Sequence, residues 1–265
     1  MRIFISAILF LSLANPVSAE IEKAAAYSET QRLPGDEPGT TALILDVGGR
    51  NAIFPVPEAC VSISKQSPEM FGILQKFVPP GSVLLDALAK SSDMERYANG
   101  ESETLDNYFF ITEMTRNRKI DFEKKMYDDL VVFLEKQGKQ LVEKEAGDMI
   151  KAHTKKASEE LSKQYDQKVD VRISDIGFLG VYKKTPEIFI FSARSKVSDG
   201  PDGEQDTVVS SAASIYLDGK IIMLVAYGVE KPQEELHSTL TWTRTEIDKW
   251  SQAVMQANSS SIKAD

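Results

Sequence analysis

The sequence predicts an α+β protein: an antiparallel β-sheet covered by a long central helix and a C-terminal helix, in a single domain spanning residues 41–258. Three observations carry this. Two strand-like runs, Thr207 to Leu217 and Lys220 to Tyr227, flank Asp218-Gly219, a two-residue loop of the kind a type I′ hairpin demands. Between Asp121 and Lys163 there is no proline. Apolar residues recur there at Phe122, Met126, Leu130, Phe133/Leu134, Leu141, Met149/Ile150, Ala157 and Leu161, spacings that lay one stripe along a helix. After Pro232 a last helical pattern places Leu236, Leu240, Ile247, Trp250 and Val254 on one side, with Glu234-Glu235 in the first turn where the helix dipole favours acids.

From the start of the chain, a basic Arg2, an apolar run from Ile3 to Leu13, Pro16 and a small-residue ending at Ala19 are the parts of a secretory signal peptide over residues 1–19. The run is about half of the ~20 residues a membrane span needs, so the expectation is cleavage after Ala19 with no transmembrane segment left behind. No cysteine follows the run, so lipid attachment is not expected there. Residues 20–40 are polar, hold Pro34, Gly35 and Pro38, and read as a flexible N-terminal arm. The expected destination is a periplasm or the medium.

Thr41 to Val47 is a β-favouring run closed by Gly48-Gly49, and Ala52 to Val56 reads as its return. Signals from Pro57 to Gln75 are mixed. Pro79-Pro80-Gly81 breaks the chain, after which Ser82 to Lys90 and Asn107 to Thr115 read as an antiparallel pair joined by a wide hairpin connection. Their membership of the main sheet is left open by the sequence. Gly138 and Gly147 interrupt the long helical stretch at about 1 kcal/mol each relative to Ala, so it reads as one bent helix or two in succession. Val169 to Tyr182 and Glu187 to Arg194 are strand-like and meet at Lys183-Lys184-Thr185-Pro186. Ile188 to Phe191 and Ile221 to Val225 are apolar at successive positions, the mark of central strands covered on both faces. Residues 259–265 read as a disordered tail.

Composition narrows the function. Loss of the leader removes one base and no acid, leaving 30 basic against 40 acidic residues, a balance opposed to nucleic-acid binding and to attraction by anionic lipid. The single cysteine, Cys60, excludes an internal disulfide and leaves three readings open: a buried small hydrophobe, a link to a partner, or a reactive thiol. Two histidines, His153 and His237, exclude a multi-histidine metal site.

Each candidate motif has a plainer reading beside it. Ser62-Ile63-Ser64-Lys65 contains Ser-x-x-Lys, the pairing that sets an amine beside a serine nucleophile in penicillin-recognising enzymes. Its companions Ser-Asp-Asn and Lys-Thr-Gly are absent, and the pattern recurs at Ser260 to Lys263 in the tail, so chance is favoured. Cys60 with His153 or His237 would make a thiol hydrolase pair if the fold joined them. The loop Ser198 to Asp206 is acidic and glycine-containing but lacks an EF-hand's spacing, and would hold a hard cation weakly if any. Gly48-Gly49-Arg50 follows a strand without a phosphate-loop pattern and reads as a turn. The expectation is no catalytic, cofactor or metal residue set. Asn258-Ser259-Ser260 matches the glycosylation acceptor pattern, relevant only in a eukaryote.

The order of elements from about Thr41 to Asn258, above all the Asp218-Gly219 hairpin followed by a Trp-bearing terminal helix, resembles the Mog1/PsbP-like fold, in which helices pack on a central antiparallel sheet. The resemblance rests on element order alone. It implies a binding or accessory role more than an enzymatic one. The leading expectation is a secreted or periplasmic accessory protein that binds a partner protein or small-molecule ligand. The alternative is a cell-envelope hydrolase whose residues converge only in three dimensions. A further reading has the Asp121–Lys163 helix docking a partner, which exposure of Phe122, Met126 and Leu130 would favour.

Overall fold

Where every residue of a strand is apolar, alternation of side chains feeds two cores at once, and this rule organises the molecule. The computed structural model describes residues 28–31, 42–79, 81–101, 105–200, 203–230 and 236–259. Residues 1–19, read from sequence as a signal peptide, Glu234-Glu235 and residues 260–265 lie outside them.

Among the described residues, ten strands form two antiparallel sheets. β1 (Ser28–Gln31), β2 (Ala42–Val47) and β3 (Arg50–Pro55) make the smaller one. The larger has seven strands in the order β4 (Cys60–Ser62), β5 (Ser82–Lys90), β6 (Asn107–Met114), β10 (Lys220–Glu230), β9 (Gln205–Leu217), β8 (Ile188–Asp199) and β7 (Val171–Lys184). The Asp218-Gly219 hairpin forms as expected, with φ of 46° and 79° at its two residues and Lys220 paired to Leu217. β5 and β6 join the main sheet through the pairing of β6 with β10.

Along β10, Ile221, Val225 and Tyr227 point to one core while Ile222, Leu224 and Ala226 point to the other. β6 divides likewise, Tyr108 and Phe110 against Phe109 and Ile111. The first face is covered by α4 (Lys124–Gln140), a π-helical turn (Leu141–Ala146) and α5 (Gly147–Tyr165), with α2 (Pro68–Lys76) alongside. The second face is covered by α6 (Leu236–Ser259) and the β2–β3 hairpin, through Leu43, Leu45, Phe54, Ile247, Trp250 and Val254. The result is three layers, with the seven-stranded sheet in the middle.

Several expectations shift. Ser28–Gln31, within the stretch read as a flexible arm, pairs along β2, with Gln31 opposite Ala42. The mixed segment after Pro57 holds β4, a single helical turn α1 (Ile63–Gln66) and α2, which starts at Pro68 with Ser67 as its cap. The wide hairpin connection contains a helix, α3 (Ser91–Ala98), and Ser259 ends α6 instead of opening a tail. The long helical stretch is continuous but passes through the π turn; Leu134, Leu141, Ile150, Ala157 and Leu161 of the expected stripe are buried, whereas the first turns of α4 bury Tyr127 and Val131, not Met126. Phe122 precedes the helix, so the phase counted from it does not carry into α4. Gly138 has a packing role: a Cβ there would stand 3.3 Å from the Phe178 ring, so the glycine admits β7 against the helix.

At the open edge, β7 changes register against β8 three times, between Ser174 and Gly177, Phe178 and Gly180, and Val181 and Lys183. The Phe178 amide donates to the Glu143 carboxylate at 3.3 Å.

Candidate functional site

Ser-x-x-Lys is a helix cap. The Ser62 hydroxyl accepts the Lys65 amide at 3.3 Å, closing the single turn of α1. It donates to Asp86 Oδ2 at 2.7 Å and lies 3.0 Å from the Ser64 hydroxyl. Asp86 is fully buried where β5 shifts register, and also accepts the amides of Ala87 at 2.7 Å and Ser64 at 3.3 Å. Burial pushes its carboxyl up, against the pull of those hydrogen bonds. The serine proton is thus spent on a structural carboxylate, and Ser62 itself is only 7% exposed.

No thiol–imidazole pair assembles. Burial raises the Cys60 thiol to about 11, and the charges acting on it come from Lys90, Glu246 and Asp93, with neither imidazole among them. His153 is depressed by burial, with the nearby main chain of Lys76 and Val78 acting the other way. His237 is exposed at the start of α6. Of the acidic loop, Ser198 donates to the Gly200 carbonyl at 3.0 Å, and the Gly200 amide donates to Asp170 O at 2.5 Å, which continues the pairing of β8 with β7 by one step. Among the described residues no three Cys, His, Asp or Glu side chains converge as a metal would need.

Gly48-Gly49-Arg50 leads to the most charged part of the molecule. The glycines turn β2 into β3 at φ of 57° and 87°, and a Cβ on Gly48 would lie 2.4 Å from the Asn117 carbonyl oxygen. The turn therefore seats directly on the 3₁₀ turn Thr115–Arg118 that ends β6. Arg50 Nη1 donates to the Asp218 carbonyl and, at 2.5 Å, to its carboxylate, while Nη2 reaches Asp121 Oδ2 at 2.7 Å. Asp121 Oδ1 takes Lys220 Nζ at 2.7 Å, and Lys220 donates further to the carbonyls of Asn117 at 2.6 Å and Ile120 at 3.2 Å. The hydrogen bond from Lys220, with the Arg50 charge, holds Asp121 below the usual carboxylate range. The two hairpin turns are thereby fastened to each other.

Beneath this fastening lies a cavity of about 80 Å³, lined by Val47, Ala52 and Leu217 together with Arg50, Asp218 and Lys220. All three Lys220 donors are engaged and Arg50 is held by two carboxylates, so the cations serve the fold before any ligand. Next to it Arg118 bridges two more acids: Nη2 stands 3.0 Å from Glu113 Oε1 and Nη1 3.5 Å from Asp46 Oδ2. The Glu113 side chain is fully inaccessible. Neither Glu113 nor Asp86 was singled out from sequence, although each is a lone carboxylate interrupting an apolar strand, and that interruption was the available signal.

A second polar set lies under α6. Ser192, Ser211 and Thr243 link their hydroxyls at 2.9 Å each, and Arg244 donates to Ser192 Oγ at 3.1 Å and to the Leu179 carbonyl at 3.0 Å. Small residues let α6 approach here: a Cβ on Gly228 would meet the Thr239 methyl at 2.8 Å. These groups satisfy one another and leave no nucleophile facing a cleft.

Among the described residues, the large apolar side chains that face solvent gather mainly along α4, just before it and along α5, with Val181 of β7 opposite Phe191 of the same core, whereas Tyr182 lies under Arg244 of α6. Met126 (47% exposed), Phe133 (42%) and Val132 lie on α4, Met149 on α5, Ile120 just before α4, and Val181 and Tyr182 on the edge strand β7. Of the three residues whose exposure would favour docking by this helix, Met126 alone is exposed: Phe122 is buried and Leu130 is half-buried against the core. No helix of the described residues is long and apolar enough to cross a membrane. No family model matches the chain, and no curated protein matches its sequence.

Proposed function

We propose that this chain is an exported accessory protein, periplasmic or secreted, that works by binding a protein partner through the outer face of α4 and the neighbouring β7 edge, without catalysis. The observation that carries the reading is the exposure of Met126, Phe133 and Val132 on α4 and of Val181 beside it on β7, set against a second face closed by α6 and the β2–β3 hairpin. Apolar side chains left in water at one face are what a partner surface gains by covering. The plain chemistry of the motif residues supports the same reading, since Ser62, Cys60 and His153 are each absorbed by the fold. So does the resemblance of the element order to the Mog1/PsbP-like group.

The test is native mass spectrometry of the chain from Glu20 to Asp265, isolated from its own extracytoplasmic space under non-reducing conditions. The parent chain is expected to carry a protein partner. The double variant Met126→Glu/Phe133→Glu is expected to run bare with an unchanged melting curve. A parent chain that is always bare, or a double variant that keeps the partner, would overturn the proposal. A bound small molecule in place of a protein would move the function to ligand carriage.

A further inference from the structure

The β2–β3 hairpin is held differently at its two ends. At the strand end it is strapped to α6: Asn258 accepts the Ile53 amide at 2.9 Å and donates to the Ile53 carbonyl at 2.7 Å, and the Trp250 indole donates to Pro55 O at 2.8 Å. These are uncharged bonds within a core. At the turn end the hold is ionic, through Arg50 to Asp218 and Asp121 and through Asp46 to Arg118, a residue that also stands against Glu113 within β6 and its following turn. The cavity lies between this turn end and the β9–β10 turn.

Among those ionic partners Glu113 is unlike the rest. Asp46, Asp121 and Asp218 are each more than two-fifths exposed, whereas the Glu113 side chain has no access to water. Its neighbours across the ladder are Val83 on β5 and Ile222 on β10, both apolar. It lies on the sheet face that the hairpin covers, in line with Phe109 and Ile111. Arg118 is the cation beside it, 3.0 Å away, and Arg118 and the Asn117 side chain both act against the effect of burial. Asp46 of β2 adds a like charge, while Arg50 and Lys220 are turned to Asp121 and Asp218.

We infer that the turn end of the hairpin is a proton-linked latch: uptake of a proton by Glu113 tightens the hairpin over the cavity, and loss of that proton loosens it. Closed, the carboxyl is buried between apolar neighbours. With the turn end lifted about the strap formed by Asn258 and Trp250, it meets water. A carboxyl prefers its neutral form when buried, so the closed form binds the proton more tightly than the open form. Burial is indeed the largest influence on Glu113 and pushes its carboxyl up, with Arg118 pulling the other way. The sign follows: closure is favoured as pH falls and is progressively lost as pH rises through the closed form's value. The proton comes from solvent and returns to it. The inference is independent of the partner surface on α4, because it concerns the opposite layer.

Amide hydrogen exchange of the full chain, corrected for intrinsic rates, reads the latch directly at Val47, Arg50 and Ala52 between pH 5 and pH 8. In the parent chain protection at these amides is expected to fall as pH rises, by about tenfold for each unit separating the closed and open carboxyl values. Amides deep in β9, such as Ala212, report global unfolding and are expected to change less. Glu113→Gln is expected to hold protection at its acid level across the range. Arg118→Met, which removes the opposing cation, is expected to keep the slope and lower protection most at high pH. Equal slopes in the parent and Glu113→Gln, or protection that rises with pH in the parent, would overturn the latch.

Discussion

The Trp250 indole N–H donates to the carbonyl of Pro55, 195 residues earlier in the chain, at 2.8 Å. One side chain thus fixes the terminal helix to the first hairpin, while its ring meets Phe109 edge-on with centroids 5.3 Å apart. Trp250→Phe keeps the ring packing and leaves the Pro55 carbonyl unpaired, a cost of about 1–2 kcal/mol, whereas Trp250→Ala removes both, about 3–5 kcal/mol. Denaturant unfolding of the two variants checks the ratio, and equal losses would mean that the ring carries the whole effect.

Gly48 and Gly49 share a turn but differ in surroundings. Both adopt positive φ, so alanine strains either by about 1 kcal/mol, yet nothing lies within 4 Å of a Cβ at Gly49. At Gly48 it would strike the Asn117 carbonyl. Gly48→Ala should therefore melt at least about 4 °C below Gly49→Ala. Matching melting temperatures would show that the hairpin turn does not seat on the 3₁₀ turn.

Asp86 makes stability fall with alkali. Its carboxyl is raised by burial, so its contribution is complete below the ordinary carboxylate range and is lost as pH rises through the folded value. Asp86→Asn keeps an acceptor for the Ala87 and Ser64 amides, and the Ser62 hydroxyl turns to accept from the new amide. The variant should match or exceed the parent in stability at pH 7 and lose that advantage toward pH 4. His153, depressed by burial, acts with the opposite sign in both proteins and so cancels in the difference. A difference curve that is flat with pH would remove the assignment.

Cys60 should be a slow thiol. At a value of about 11 its thiolate fraction near pH 8 is about a hundredfold below that of an ordinary cysteine. Alkylation of the native chain is expected to lag the urea-unfolded chain by about two orders of magnitude. Comparable rates would show that the burial around β4 is open to reagent.

The strands were legible because their signals are local. Ser82–Lys90, the turn at Gly48-Gly49 and the Asp218-Gly219 hairpin follow from short-range pattern and turn chemistry, and the continuous apolar runs of β8 and β10 announced a doubly covered sheet. α3 was hidden because Ser91–Ala98 is mostly polar, with only Asp93 and Met94 buried and no side-chain cap at its start. The phase of α4 was misplaced because Phe122 lies just outside it. The charged corner needs Asp46, Glu113, Arg118, Asp121 and Asp218 together, drawn from three turns far apart in the chain, and no spacing rule joins them.

The three register shifts of β7 bear on how the protein behaves in company. A strand-seeking neighbour needs a straight row of free amides and carbonyls at a sheet margin. Here the row is broken at Ser174, Phe178 and Val181, and Glu143 already holds the Phe178 amide. The margin is thereby a poor template for sheet growth from one molecule to the next, even with Val181 and Tyr182 exposed along it.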